Sequence, residues 1–341
     1  MDNNENKIVL RVTDLKTRFK VGKRLVNAVN GVTFDLRRGT TLGIVGESGC
    51  GKSVTAHSVL QLLPKAGYIE SGKVEYFPRN GEEQEISRFG RKSRDIRKIR
   101  GKEISMIFQD PMSTLNPVYT IGAQIMENLC RHERISKKDA QKRVIELLKK
   151  LGIPDAEKRF HEYPHQFSGG MKQRVMIAIA MICNPNVLIA DEPTTALDVT
   201  IQAQILTLIQ QLQKEYGTSV ILITHNMGIV AEICDEVGVM YMGKIVEFGT
   251  LEQVFTNPLH PYTRALMKSV PVLGLGKDKE LESIQGFTPD GSTVFSGCEF
   301  ADRCSCAMKK CTSSFPEDTF HGDNHRVRCH LYGEVNADEC K

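Results

Sequence analysis

The sequence has no long hydrophobic run, and this absence bears on where the protein can reside. No stretch without a charged residue exceeds 16 residues, and the one at 175–190 is interrupted by Asn184-Pro185-Asn186. It is shorter than the ~20 apolar residues that a helix needs to cross a bilayer. The first residues, MDNNENK, also lack the apolar segment of a signal peptide. We therefore expect a cytoplasmic chain that reaches a membrane only through a partner.

The sequence also has no large excess of positive or negative charge. The chain has 45 Lys and Arg against 41 Asp and Glu, a net charge of +4. This excess is too small to indicate a nucleic-acid partner, and we expect none. The 341 residues are 40% hydrophobic and 25% charged, as in an ordinary globular protein. That length suits two or three units, each able to bury a core.

The segment GESGCGKS, residues 46–53, fits the pattern GxxxxGK[S/T] of loops that wrap nucleotide phosphates. An apolar strand pattern precedes it and a helical apolar pattern follows, which is the context the motif requires. The glycines let backbone N–H groups face phosphate oxygens, Lys52 supplies a cation, and the Ser53 hydroxyl suits Mg²⁺. The residues predicted to bind the nucleotide are Gly46, Glu47, Ser48, Gly49, Cys50, Gly51, Lys52, Ser53 and Val54.

The order of the elements indicates an α/β protein. Strand patterns alternate with helical ones, and most strands are apolar throughout, which is typical of a covered and mainly parallel sheet. Two helical stretches, 121–134 and 136–151, lie in an insertion of about residues 110–185, with Ser136 as the expected cap of the second. Residues 236–250 read as a hairpin turned at Met242-Gly243. We expect a P-loop NTPase core with an inserted helical subdomain.

An acidic pair ends the apolar stretch NVLIADE, residues 186–192. Asp191 at the strand end is the expected second Mg²⁺ partner of a P-loop NTPase. Glu192 is the expected base that orients or deprotonates a water in line with the γ-phosphate. A small-molecule kinase would use the same phosphate loop, but it would not need the Ser-Gly-Gly turn found at residues 168–170.

With these motifs in place, the chain resembles the nucleotide-binding subunits of ATP-binding cassette (ABC) transporters over about residues 7–335. Further motifs of that family occur in its order and spacing: FSGGMKQR at 167–174 (the signature), Gln109 (the Q-loop), Ala196-Leu197-Asp198 (the D-loop), His225 (the switch histidine) and Phe19 (the adenine-stacking aromatic). One position departs from the family pattern, because Met171 stands where the signature commonly has Gln. Ser168, Gly169 and Gly170 remain able to bind phosphate.

The resemblance implies roles for these residues. Glu192, His225 and Gln109 are the expected catalytic residues, and Ser53, Gln109 and Asp191 the expected Mg²⁺ ligands. The Ser-Gly-Gly turn opens a helix and is thus an anion site, but the chain's own phosphate loop already holds the local nucleotide. Ser168, Gly169, Gly170 and Asp198 are therefore expected to serve the ATP of a second ATPase subunit in a head-to-tail dimer. In the peptide-importer branch of this family the partner is usually a different but related chain.

The C-terminal segment indicates which branch of the ABC transporter family the chain resembles. LHPYTRALMKSVP at 259–271, GCEFADRCSCAMKKC at 297–311 and RCH at 328–330 resemble the C-terminal extension of dipeptide and oligopeptide importer ATPases. This implies a nucleotide-binding domain at 1–255 and an extension at 256–341. It also implies an ATPase that powers peptide import, with two permease subunits and an extracytoplasmic binding protein, at the cytoplasmic face of the membrane.

Two alternative functions remain. The same branch includes nickel importers, so another small solute is possible as the substrate. A soluble ABC ATPase of DNA repair or translation is a different class. It is disfavoured because the insertion lacks the length and heptads of a coiled coil, and because the chain has one phosphate loop.

Four cysteines of the tail fit the cysteine pattern of this branch: Cys298, Cys304, Cys311 and Cys329. Their spacing, C-x5-C-x6-C-x17-C, lacks the short C-x2-4-C knuckles of structural zinc sites. Four thiolates can hold an iron–sulfur cluster, and together with the resemblance this makes [4Fe-4S] the preferred hypothesis. The alternatives are zinc with His321, His325 or His330, and unliganded thiols.

Overall fold

The computed structural model describes residues 8–110, 114–195, 197–269 and 284–332. Outside these ranges lie the N-terminal residues on which the signal-peptide expectation rests, Ala196 of the predicted D-loop, and the last two residues of the 259–271 motif. The described residues form two compact units. The first contains residues 8–10, Leu36–Thr40 and Glu75–Ile223, and the second contains Arg11–Asp35, Thr41–Val74 and residues 224–332.

Strands and helices alternate along the described chain, as predicted. The strands are β1 Ile8–Val21, β2 Arg24–Arg37, β3 Thr41–Val45, β4 Gly67–Tyr76, β5 Gln84–Glu85, β6 Ile104–Ile107, β7 Val187–Asp191, β8 Ser219–Thr224, β9 Glu236–Tyr241, β10 Lys244–Thr250, β11 Asp318–His321 and β12 His325–Arg328. The α-helices are α1 Lys52–Val59, α2 Arg94–Ile99, α3 Ile121–His132, α4 Lys137–Lys150, α5 Ala156–Arg159, α6 Gly169–Met181, α7 Val199–Tyr216, α8 Met227–Ile233, α9 Leu251–Thr256, α10 Pro261–Lys268 and α11 Lys309–Ser313.

The first unit contains a parallel sheet in the order β6, β7, β8. Val187 at the start of β7 lies opposite Ile104 on one side and Ser219 on the other. Every residue of β7 is buried. A strand that is apolar throughout is what a parallel sheet covered on both faces requires, so the interpretation from the sequence is confirmed here.

The predicted helical insertion also lies in the first unit. Helices α3, α4 and α6 contribute to one hydrophobic cluster, whose fully buried members include Ile125, Val144 and Ile177. As expected, Ser136 caps α4, because its hydroxyl accepts from the backbone N–H of Asp139 at 3.1 Å. Helices α3 and α4 each bury one apolar face and expose the opposite polar face, whereas α6 is buried over most of its length.

The second unit contains the strand that leads to the phosphate loop. Strand β3 is parallel to β9, and β9 and β10 form the predicted hairpin, with Met242 and Gly243 at positive φ. A two-residue connection joins antiparallel strands, so β9 and β10 run antiparallel as the predicted hairpin requires.

The C-terminal extension is hydrogen-bonded into this same unit. Strand β12 is antiparallel to β10, with Val327 opposite Glu247, and β11 is antiparallel to β12. The boundary between residues 255 and 256 remains a prediction, and these strand pairs cross it. No helix among the described residues is both long and apolar enough to cross a membrane.

Candidate nucleotide-binding site

The phosphate loop connects β3 to α1 in the second unit and fits closely against backbone. Gly46, Gly49 and Gly51 have φ values of 152°, 82° and 106°. A Cβ at Gly46 would lie 2.1 Å from the carbonyl oxygen of Met240, and one at Gly51 would lie 2.3 Å from that of Ala28. Only glycine combines this backbone conformation with this close approach, so the loop shape depends on the glycines of the motif.

Lys52 is the first residue of helix α1, and its side chain extends back across the phosphate loop. Its side chain is buried, and Nζ donates to the carbonyl oxygens of Gly46 at 2.8 Å and Glu47 at 3.0 Å. Gly51 is the N-cap and has no side chain with which to cap α1. The first backbone N–H groups of α1, together with the Lys52 ammonium, therefore have the chemistry of a phosphate site.

Cys50 fills space inside the loop. Its side chain is buried, and burial raises the pKa of its thiol although Lys52 acts in the opposite direction. Its carbonyl oxygen accepts from the backbone N–H of Gly243 at 2.8 Å. Cys50 thus contributes its backbone and its volume to the loop.

The acidic pair and the Q-loop residue meet in the first unit. Asp191 ends β7 with a side chain that is 2% exposed. Glu192 has φ of 46°, and its backbone N–H donates to the carbonyl oxygen of Ile223 at 2.9 Å. Gln109 Nε2 donates to Glu192 Oε2 at 3.0 Å. The structure therefore brings together two residues that the motifs placed far apart in the chain.

Thr195 is a site residue that the sequence reasoning missed. Its hydroxyl donates to Oε2 of Glu192 at 2.9 Å, the same oxygen that Gln109 contacts. The signal that could have found it is its position three residues after Glu192, past Pro193, where a turn returns the chain toward the carboxylate. Both donors hold one oxygen of the expected base in place.

The signature turn opens helix α6. Ser168 is the N-cap, and its hydroxyl accepts from the backbone N–H of Met171 at 3.3 Å. A Cβ at Gly170 would lie 2.9 Å from Cγ2 of Ile201 in α7. Asp198 caps α7 by accepting from the backbone N–H of Ile201 at 2.9 Å. Two predicted nucleotide contacts, Gly170 and Asp198, therefore lie at neighbouring helix N-termini.

Met171 has a structural explanation. Its side chain packs against the hydrophobic cluster of the helical insertion. A thioether suits this apolar contact and fills irregular gaps.

Phe19 and His225 lie in the second unit. The half-buried Phe19 ring packs against Gly67, where a Cβ would lie 2.6 Å from Phe19 Cε1. His225 is exposed directly after β8 and before α8, which Asn226 caps. Their roles at adenine and γ-phosphate remain predictions.

The four tail cysteines are free and largely buried. Burial raises the pKa of Cys298 to about 11 and that of Cys329 to about 12, with further contributions from the neighbouring thiols. Among the described residues, no group of three or more His, Cys, Asp or Glu side chains is arranged to hold a metal ion. The structure thus does not support the predicted metal site.

The histidines of the zinc alternative have other partners. His325 Nε2 lies 2.9 Å from Oε1 of Glu247, and both side chains are buried. His330 Nε2 lies 2.9 Å from the carbonyl oxygen of Ser314. The first contact joins β12 to β10, and the second joins the chain after β12 to the end of α11.

Comparison with known proteins identifies the family. The profile of the ABC transporter family matches residues 29–195, and that of the oligopeptide/dipeptide transporter C-terminal region matches residues 246–311. The dipeptide transport ATP-binding protein DppD of Bacillus subtilis (strain 168) is 49% identical over 324 residues, which cover 95% of this chain and 94% of that protein. The chain belongs to the ATP-binding proteins of the ABC transporter family.

Further comparisons agree with this membership. The oligopeptide transport ATP-binding protein AppD of the same bacterium is 47% identical over 332 residues, covering 97% of this chain and 99% of that protein. The dimeric post-hydrolysis structure of the ATP-binding cassette MJ0796, bound to ADP and Pi, has a TM-score of 0.62 and 26% identity, covering 71% of this chain and 98% of that chain. Both the expected ABC ATPase fold and the expected ATPase class are confirmed.

Proposed function

We propose that this ABC ATPase binds and hydrolyses ATP to power the import of dipeptides or oligopeptides. The observation that carries the proposal is the joint match of one chain to the ABC transporter family over residues 29–195 and to the oligopeptide/dipeptide transporter C-terminal region over residues 246–311. The names of the relatives at 46–49% identity support the same substrate class. Import of nickel or another small solute is the competing function.

Uptake by cells tests this proposal. Cells that express the complete transporter with the wild-type chain or with Lys52→Ala are given a radiolabelled dipeptide, a labelled tetrapeptide or ⁶³Ni²⁺. We expect peptide uptake that is lost with Lys52→Ala, because the loop loses its cation for the phosphates. Nickel uptake that depends on Lys52, without peptide uptake, would contradict the substrate class.

The proposed catalytic arrangement assigns ATP to the phosphate loop, 46–53. Glu192 acts as the base on a water, and the hydrogen bonds from Gln109 and Thr195 to its Oε2 orient the carboxylate. In this proposal the carboxylate of Glu192 takes the proton of the attacking water. His225 contacts the γ-phosphate, and Phe19 stacks on adenine.

Ser53, Gln109 and Asp191 are the proposed ligands of Mg²⁺. A hydroxyl, an amide carbonyl and a carboxylate supply only oxygen atoms, which is the donor set that Mg²⁺ prefers. The ion supplies charge neutralisation on the β- and γ-phosphates when it is bound. Because the amide nitrogen of Gln109 donates to Glu192, its oxygen is the atom assigned to the ion.

A second ATPase subunit completes the site in this proposal. Ser168, Gly169, Gly170 and Asp198 would contact the ATP of that subunit, which we expect to be a different chain. Two permease subunits would bind the helical insertion, about residues 110–185, of the nucleotide-binding domain at 1–255. These subunits would place the ATPase at the cytoplasmic face of the membrane. An extracytoplasmic binding protein would deliver the substrate to the permease subunits from the opposite face.

Co-purification from native membranes tests this assembly. A tagged chain is isolated in mild detergent, and its partners are identified by mass spectrometry. We expect a second ATPase, two membrane-spanning proteins and slow ATP hydrolysis by the chain alone. Fast turnover by a dilute monomer would contradict the shared site.

A [4Fe-4S] cluster at Cys298, Cys304, Cys311 and Cys329 remains a proposal for the extension, 256–341. Its support is the cysteine pattern of the sequence, which fits that of the peptide-importer branch. In addition, the backbone N–H of Met308 donates to Cys311 Sγ at 3.4 Å, and N–H···S bonds of this kind tune such clusters. Anaerobic purification with iron, sulfide and zinc analysis is the test. A colourless protein without metal would contradict both the cluster and the zinc alternative.

A further inference from the structure

Arg303, a buried arginine of the C-terminal extension, forms a two-pronged ion pair with Glu47 of the phosphate loop. Nη1 of Arg303 donates to Oε2 of Glu47 at 2.7 Å, and Nη2 donates to Oε1 at 3.0 Å. The Arg303 side chain is 5% exposed and that of Glu47 is 28% exposed. Two parallel hydrogen bonds between a guanidinium and a carboxylate fix orientation as well as distance.

Arg303 is itself held by its surroundings. Its Nε donates to the carbonyl oxygen of Gln285 at 3.0 Å, and Nη1 lies 3.4 Å from the hydroxyl of Tyr241. The guanidinium also lies 5.9 Å from the ring centroids of Tyr241 and Phe300. These contacts already restrict the conformation of the Arg303 side chain. Its hydrogen bonds to Glu47 therefore cost little additional conformational entropy.

A second residue of the extension fixes the backbone of the same loop position. The hydroxyl of Tyr262 in α10 accepts from the backbone N–H of Glu47 at 2.8 Å. Tyr262 is fully buried, with the rings of Tyr241 at 4.7 Å and Phe300 at 5.3 Å. The main chain and the side chain of Glu47 are thus both bound by residues that follow position 255.

A third contact reaches the loop through the β9–β10 turn. Gly243 donates to the carbonyl oxygen of Cys50, and the next residue, Lys244, pairs with Glu299 of the extension at 2.6 Å. Both charged side chains are almost completely buried. The buried ion pair between Lys244 and Glu299 fixes the position of the β9–β10 turn. The turn then fixes the loop backbone at Cys50 through the hydrogen bond from Gly243.

We propose that Arg303 and Tyr262 are positioning residues for ATP binding, through which the C-terminal extension sets the affinity of the phosphate loop. Arg303 neutralises Glu47, whose free carboxylate would repel the phosphates of ATP. Tyr262 holds the Glu47 backbone so that ordering the loop costs less when ATP binds. This inference rests on the proposed assignment of residues 46–53 to the nucleotide.

Titration of the full-length chain with a fluorescent ATP analogue and Mg²⁺ tests the inference. Arg303→Ala is expected to weaken binding about tenfold, and Arg303→Lys less, because lysine restores the charge without the two-pronged contact. Tyr262→Phe is expected to weaken it about threefold by leaving the backbone N–H of Glu47 without its acceptor. Turnover at saturating ATP should fall much less than the affinity does.

Two residues of the same extension provide matched controls. Arg328 donates to Asp318 at 2.8 Å within the β11–β12 hairpin, and the hydroxyl of Tyr332 donates to the carbonyl oxygen of Leu259 at 2.9 Å. Arg328→Ala and Tyr332→Phe remove comparable contacts that do not involve the phosphate loop. Their ATP affinity should equal that of the wild type. An equal loss in these variants would show a general effect of the extension and overturn the positioning role.

A double-mutant cycle separates the Glu47 contact from loss of folding. If Arg303 acts through Glu47, Arg303→Ala should have a smaller effect in a Glu47→Gln background than in the wild type. Unchanged affinity of a folded Arg303→Ala variant would overturn the proposal. Lys52→Ala reports separately on the loop assignment, since normal ATP binding by that variant would contradict the proposed function itself.

Discussion

The amide nitrogen of Gln109 donates to Oε2 of Glu192 at 3.0 Å, across 83 positions of sequence. Glu192 has a left-handed backbone conformation directly after the buried strand β7, and the hydroxyl of Thr195 reaches the same oxygen. One carboxylate oxygen is thus occupied by two donors from its own unit. This arrangement fixes the orientation of the carboxylate, as the proposed role of Glu192 as general base requires.

Glu192→Gln is expected to lower ATP turnover about 100-fold or more while leaving ATP affinity unchanged. The amide keeps the shape of the side chain but cannot take a proton, so ATP stays bound and the dimer stays closed. Phosphate release and size-exclusion chromatography with ATP measure both effects. Glu157→Gln, at an exposed carboxylate paired with Lys149, is the control and should behave as the wild type. Turnover that survives Glu192→Gln would remove this residue from the base role.

Thr195→Val is expected to lower kcat about threefold without changing ATP affinity. Valine keeps the volume and removes the donor to Oε2 of Glu192, a hydrogen bond to a charged group. Steady-state kinetics with a parallel binding titration provide the measurement. Thr207→Val is the matched control, because that hydroxyl donates to a backbone carbonyl within its own helix. A change in affinity instead of kcat would argue against an orienting role for Thr195.

Gly170→Ala is expected to weaken ATP-driven dimerisation more than ATP binding by the separate chain. The new methyl group would lie 2.9 Å from Cγ2 of Ile201 and displace the signature turn. Gly169→Ala should have a smaller effect, because its methyl group would make an ordinary contact at 3.8 Å. Light scattering of the chain mixed with its partner ATPase, with and without ATP, gives the dimer fraction. Gly90→Ala, at an exposed loop glycine with open surroundings, serves as the control.

Acidification is expected to destabilise the fold through His260. Burial lowers the pKa of this histidine to about 4, whereas an unfolded histidine has a pKa near 6.5. A group whose pKa is lower in the folded state costs stability as the pH falls below its unfolded pKa. The loss therefore begins near pH 6.5, amounts to roughly 2 kcal/mol at pH 5, and levels off below about 4.

Urea unfolding at pH 7.5 and pH 5 measures this loss. His260 also caps α10, since Nδ1 accepts from the backbone N–H of Tyr262 at 3.0 Å. His260→Asn keeps a capping acceptor without a titrating ring, so its stability should differ less between the two pH values. An equal pH dependence in both proteins would assign the effect to other groups.

Local features of this protein were predictable from sequence because they depend on neighbouring residues. The glycines of the phosphate loop, the Ser136 cap and the Met242-Gly243 turn all follow from backbone conformations that a few adjacent residues impose. The buried parallel strands follow in the same way from their uninterrupted apolar composition. For the same reason the ATPase motifs were recognisable one by one.

The side chains that contact those motifs could not be predicted, because they are brought to the motifs only by the fold. Arg303 lies 256 positions from Glu47, and Tyr262 lies 215 positions from it, so no periodicity or spacing connects them. The short strands β11 and β12 were likewise missed, because four residues carry too little alternation to be distinguished from a loop. β12 pairs with β10 and β11 pairs with β12, so these strands place the extension in the same sheet as β3, the strand that precedes the phosphate loop. Sequence therefore identified the chemistry of the loop, whereas long-range packing determined which side chains hold it in shape.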